Sequence, residues 1–171
     1  MKSADANLIV SSYNNQILRY RTCKKFEYGA FGVHNSYLPD FGGLDAAFEG
    51  LYHGVEETGV TAHLIDKGID TGRIICQEKV AVEPGDSVFS LNLRQWMQGA
   101  GLIPQILDLY REGPVDSEEQ DLSQVKYPYE SFPKHEKVKE LMNKGKRCIR
   151  MRDIFMIHPY LLKLFPEKRV R

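Results

Sequence analysis

The chain has 171 residues, 42% of them hydrophobic and 27% charged, and its 23 Lys+Arg balance 23 Asp+Glu. That size suits a domain of roughly 100–200 residues able to bury about two-thirds of its unfolded surface, an ordinary soluble globular composition. No apolar run approaches the ~18–20 residues a membrane span needs, and "MKSADANLIV" lacks a signal-peptide core, so a cytoplasmic protein without a membrane span is expected.

Taken in chain order, "NLIVSSY" (7–13) reads as a buried strand of an open sheet, and "QILRYRTCKKF" as a short helix or helix-like connector. A second strand, Ala30–His34, ends at a turn marked by Pro39. "LDAAFEGLYHG" has helical spacing, with Ala47, Phe48 and Leu51 inward and Gly54 as its stop. The third strand is 57–66, whose alternation puts Thr61, His63 and Ile65 on one face and Ala62, Leu64 and Asp66 on the other. The loop "KGIDTG" leads to a fourth strand, "RIICQEKVAV". Asp86 or Ser87 then caps a long helix through about Glu112, with a kink expected at Pro104 and an exit at Gly113.

Beyond this, "DSEEQD" (116–121) reads as a solvated loop, "QVKYPYESF" as an edge strand or extended segment, and "SFPKHEKVKELMNKGK" as a helix capped by Ser131 and stopped by Gly145. Its inward face is expected at Val138 and Leu141/Met142, with "IFMIHPYLLKLF" (154–165) closing against the body. Strands alternating with helices give an α/β fold, a sheet with covering helices. Two segments are expected: 1–115 carrying the chemistry, and 116–171 as an acidic loop, short helix and basic tail.

Charge is unevenly spread. From Lys134 onward there are 12 Lys+Arg and 4 Asp+Glu, a net of +8, whereas the preceding residues carry 11 and 19, a net of −8. Such a tail suits docking on the acidic body of its own or a neighbouring chain, or contact with an anionic surface. Cys23, Cys76 and Cys148 are odd in number and have no CxxC spacing, so they read as small apolar side chains; neither a disulfide nor a metal site is expected.

"GVHNSYLPDFGG" (32–43) places His34 at a strand end, followed by a Leu-Pro turn and two glycines, and "GIDTG" places Asp70 in a tight loop. Taken singly, each suits a surface or turn residue. Together with "ETGVTAHLIDKGIDTGRIICQEKVAV", they resemble the central block of the formyltransferases that use 10-formyltetrahydrofolate, over about residues 7 to 113. That family includes methionyl-tRNA, glycinamide ribonucleotide and sugar-amine formyltransferases and formyltetrahydrofolate deformylase.

The resemblance implies a partial, Rossmann-like mixed sheet covered by helices, with the family's opening strand–helix repeats missing, hence an exposed sheet edge and a homo-oligomer. It implies 10-formyltetrahydrofolate as formyl donor and an amine as acceptor, with water as the acceptor in a hydrolase and a non-catalytic folate-binding relative as alternatives. His34 would polarise the formyl oxygen, and Asp70 would hold the histidine or a water and aid proton transfer. The pterin would be read by backbone groups of Gln16, Ile17 and Leu18 and of Ile65, Asp66, Lys67, Gly68 and Ile69. Two positions depart from the family pattern. Gly32 stands where an oxyanion-stabilising asparagine is usual, and Gly42 stands where a basic residue is usual, which disfavours a nucleotide or nucleic-acid acceptor. Asn35 is expected to point away from His34's face.

Overall fold

The β-branched, alternating segments pair into one four-stranded sheet in the computed structural model, which describes residues 6–14 and 16–156. β1 (Ile9–Ser12) runs parallel to β2 (Ala30–His34), and β3 (Glu57–Leu64) and β4 (Ile74–Ala81) follow antiparallel in the order β1-β2-β3-β4. The sheet is mixed and its covering helices make the fold α/β. These helices are α1 (Tyr20–Cys23), α2 (Ala46–His53), α3 (Val88–Glu112) and α4 (His135–Asn143).

Period-two alternation divides each central strand between two tasks. Phe31 and Val33 of β2 and Val60 and Ala62 of β3 join Phe48 and Leu51 of α2 and Leu91, Leu102 and Ile106 of α3 in one apolar core. Apart from Ala62, each such side chain contributes about 1.5–3 kcal/mol by leaving water. Gly32 and His34 occupy the other face, and they pair across the ladder with His63 and Thr61, so all four positions share it.

Local chemistry sets the helix ends. Ser87 and Ser90 form a reciprocal capping box at the start of α3, each side chain accepting from the other's backbone N–H at 3.0 Å. α3 runs on past Pro104 to Glu112, and Gly54 ends α2 in the left-handed conformation.

Several expectations are corrected. β1 is a half-buried edge strand, with Val10 37% exposed, because among the described residues only β2 pairs with it. Ser131 does not cap α4. Phe132 precedes Pro133, which disfavours helical backbone there, and the cap position falls at Lys134. Leu141 is fully buried in the core but Met142 is exposed.

The acidic stretch is not simply solvated. Glu118 and Ile74 exchange two backbone hydrogen bonds of 2.7 and 2.8 Å, and Arg73 reaches Glu119 and Ser117. Composition suggested a loop in water, but backbone pairing holds it to the sheet. Residues 126–130 form the expected extended segment, bonded to the 40–44 turn through Tyr127 and Glu130. Of the closing segment, Ile154 and Phe155 are exposed and residues 157–165 lie outside the described residues. The cysteines are free, Cys23 buried and Cys76 and Cys148 half-buried.

Candidate active site

His34 stands on the last residue of β2, where the strand stops and the chain turns back over the sheet. Thr61 anchors that turn: its hydroxyl donates to the Ser36 carbonyl at 2.7 Å and accepts from the Leu38 N–H at 3.1 Å. The returning chain brings the Phe41 carbonyl to 2.9 Å from His34 Nε2. A carbonyl only accepts, so Nε2 carries the proton and, in the neutral ring, Nδ1 is bare.

Asp70 comes from the loop after β3. Asp66 shapes that loop by accepting from the Gly68 N–H and the Thr71 hydroxyl, both at 2.9 Å. Asp70 itself has a left-handed backbone, φ 56°, which costs a non-glycine residue of order 1 kcal/mol and persists only where neighbours enforce it. Two contacts enforce it here. The Gly43 N–H donates to Asp70 Oδ2 at 2.9 Å, and the Gln120 amide donates to the carbonyls of Asp70 at 2.9 Å and Gly72 at 2.6 Å.

The second glycine of "FGG" is thereby explained. Gly43 has φ +100°, and a Cβ there would lie 2.4 Å from the Glu130 carbonyl and 2.6 Å from the Tyr129 ring. Only glycine both turns the N–H toward Asp70 and lets segment 126–130 pass this close.

His34 Nδ1 lies 3.7 Å from Asp70 Oδ2, and His63 Nε2 lies 3.6 Å from Asp70 Oδ1. Both are longer than hydrogen bonds. His63 Nδ1 donates to the Leu64 carbonyl at 3.0 Å. Burial lowers the His63 pKa below the usual histidine value; the nearby charge of His34 adds to this, while Asp70 opposes it.

Both imidazoles and Asp70 open onto one cavity of about 500 Å³. Of the residues expected to read a pterin, Gln16, Ile17, Leu18, Ile65, Asp66, Gly68 and Ile69 line it; Lys67 is exposed and lies outside the wall. Asn35 also lines it, contrary to expectation. β2 has ended at His34, so the alternation no longer applies, and the Asn35 amide turns to donate to Asn92 Oδ1 at 3.2 Å. Asn92 in turn donates to Asp45 at 3.3 Å; burial raises the Asp45 pKa, and the Asn92 bond offsets part of that. Tyr129 and Phe132 form part of the rim.

Gln120 and Asn92 have no signal in a single sequence, because their roles depend on long-range folding, whereas Gly43 showed only as the second glycine of "FGG". His63 did have one. Pairing two antiparallel strands on their alternation sets it opposite Gly32 on the site face.

The α/β fold thus presents two imidazoles and a carboxylate on one drug-sized cavity. The family model described as "Formyl transferase" matches residues 1–107, and the chain belongs to that family. It is 30% identical over 127 residues to methionyl-tRNA formyltransferase of Caldanaerobacter subterraneus subsp. tengcongensis, covering 74% of this chain and 41% of that protein. The chain therefore spans less than half the length of that relative.

Among solved structures, the formyltransferase PseJ from Anoxybacillus kamchatkensis, in complex with UDP-4,6-dideoxy-4-formamido-L-AltNAc and tetrahydrofolate, superposes with a TM-score of 0.70. It is 28% identical and covers 84% of this chain and 76% of that one. Glycinamide ribonucleotide transformylase 1 from Symbiobacterium toebii gives a TM-score of 0.61 at 30% identity, covering 67% and 57%.

Proposed function

We propose that this chain carries the formyl-donor site of an enzyme that transfers a formyl group from 10-formyltetrahydrofolate to an amine. The observation that carries this reading is the convergence of His34 and Asp70 on a cavity walled by the segments expected to hold the pterin. The cavity fits the donor in two respects. Its volume lies within the roughly 300–1,000 Å³ of small-molecule sites, and the exposed side chains of Ile17 and Ile69 give it apolar lips for a flat ring.

His34 is assigned the stabilisation of the formyl oxygen, where negative charge develops as the amine adds. Asp70, held by the Gly43 N–H at 2.9 Å, lies 3.7 Å from His34 Nδ1 and is the group placed to orient it. Among the described lining residues there is no Lys or Arg, whereas Asp45, Asp66 and Asp70 are present. An amine suits such a wall, and the phosphates of a nucleotide or nucleic acid would need cations from elsewhere.

Gly32 favours a second reading, a relative that binds folate without transfer, because it supplies no side-chain donor at a position where loss of one costs about 10²–10³-fold in rate. Incubation with 10-formyltetrahydrofolate and a panel of small and sugar amines separates the readings. Formamide product that falls about 10²–10⁴-fold in His34→Ala is expected for a transferase. Formate released without an amine marks a hydrolase, and folate binding without turnover marks the non-catalytic relative.

We further infer a homo-oligomer, in which the edge of β1 that no described strand pairs with meets a second copy. No described helix is long and apolar enough to cross a membrane.

A further inference from the structure

Gly32 and His63 are cross-strand partners, and the His63 ring lies over the space a side chain at position 32 would fill. A Cβ on Gly32 would lie 3.1 Å from His63 Nε2, 3.4 Å from Cε1 and 3.8 Å from Cδ2. The missing side chain is therefore occupied space, and its occupant is an imidazole whose Nε2 also faces Asp70 Oδ1.

The two histidines are oriented alike. His34 gives its Nε2 proton to the Phe41 carbonyl and His63 its Nδ1 proton to the Leu64 carbonyl, so each neutral ring turns a bare nitrogen toward the same carboxylate. The two rings are coupled, so a charge on His34 disfavours a charge on His63. Of the two, His63 is the more buried, its side chain 7% exposed against 12% for His34.

Resting on the formyl-transfer reading, we propose that His63 Nε2 is the catalytic base that takes the proton from the attacking amine, in the space that Gly32 leaves open, while His34 stabilises the formyl oxygen. In the step so assigned, the amine nitrogen bonds to the formyl carbon and the carbonyl π pair moves to oxygen. The nitrogen, now cationic, passes one proton to His63 Nε2. The oxygen pair then re-forms the carbonyl as the bond to the donor nitrogen breaks, and the donor nitrogen takes that proton from His63. One amine proton is thus exchanged for one formyl group, and no other reactant is required.

The environments of the rings divide the two roles. Burial lowers the His63 pKa and a charge on His34 lowers it further, against Asp70, the Leu64 carbonyl and Asp66, which raise it. β4 contributes no titratable group opposite, since Ile74 is the partner of His63 there. A base with a pKa below about 6.5 is free of its proton at neutral pH.

The test uses the full chain, with kcat and KM for formyl transfer measured from pH 5 to 9. For His63→Gln the expected result is a kcat lowered about 10²-fold or more, folate KM little changed, and loss of the acidic limb of the kcat profile. Gly32→Ala keeps the histidine but presses a methyl against its ring, and is expected to lower kcat with normal folding by circular dichroism. Histidine Cε1–H resonances followed by NMR across the same pH range give a readout independent of turnover. One ring, absent in His63→Gln, should titrate below about 6.5, the reference histidine value. The proposal is overturned if His63→Gln keeps the acidic limb and near-normal kcat while His34→Ala abolishes transfer, or if the His63 resonance titrates above that reference. Transfer absent from the unaltered chain, or unaffected by His34→Ala, overturns the formyl-transfer reading as well.

Discussion

The two faces of β2 and β3 make opposite demands on the same few residues. On one face Phe31, Val33, Val60 and Ala62 meet helices α2 and α3, and what matters is volume and apolarity. On the other, Gly32, His34, Thr61 and His63 meet chain segments that arrive from residues 36–44 and 65–72, the first of them backed by 126–130, and what matters is where single hydrogen bonds fall. The first face asks for apolar side chains of fitting volume, whatever their exact order. The second depends on contacts as distant as Gln120 with Asp70.

The sharpest way to break this contrast is a large-to-small change on the core face. Phe31→Ala removes a fully buried ring stacked on Tyr110, centroids 6.0 Å apart, and is expected to lower stability by about 3–5 kcal/mol in urea unfolding. Next comes Gly43→Ala, which forces a Cβ into the Glu130 carbonyl at a left-handed backbone; a loss of about 1–3 kcal/mol is expected, together with a fall in formyl transfer as Asp70 loses its N–H donor.

Gln120→Ala should act on the site with little effect on the core. Its two hydrogen bonds are worth about 1 kcal/mol each, and hydrogen exchange of residues 66–72 should quicken while that of β2 and β3 stays unchanged. Equal quickening in both regions would show that the two faces are not separable.

The smallest effect is one of pH. His63 has a folded-state pKa below its unfolded value, so the unfolded chain binds the extra proton first as pH falls, and stability declines on acidification through about 6.5. His63→Gln should flatten that part of the urea-midpoint profile.

Much of the core face was legible in the sequence because alternation and helical spacing report burial directly. Ala30–His34 was foreseen with its observed bounds, and Ala47, Phe48 and Leu51 were foreseen facing inward. The site face was legible only where residue types recur in a known order, as with His34 and Asp70. Asn35 was misplaced because alternation was carried one residue past the strand end. The acidic stretch was misread because charge says nothing about the backbone pairing of Glu118. Gly32 was visible as a missing donor; that His63 fills its place emerges from the strand register.

The tether from Gln120 to the Asp70 loop has a consequence for cutting the protein down. A version ending at residue 115 would retain all four strands and the long helix but lose Leu141 from the core and the Arg147 and Cys148 carbonyls that receive the first N–H groups of that helix. Its Asp70 loop would also lack the Gln120 tether, so one stretch of chain beyond the long helix braces both the packing and the carboxylate.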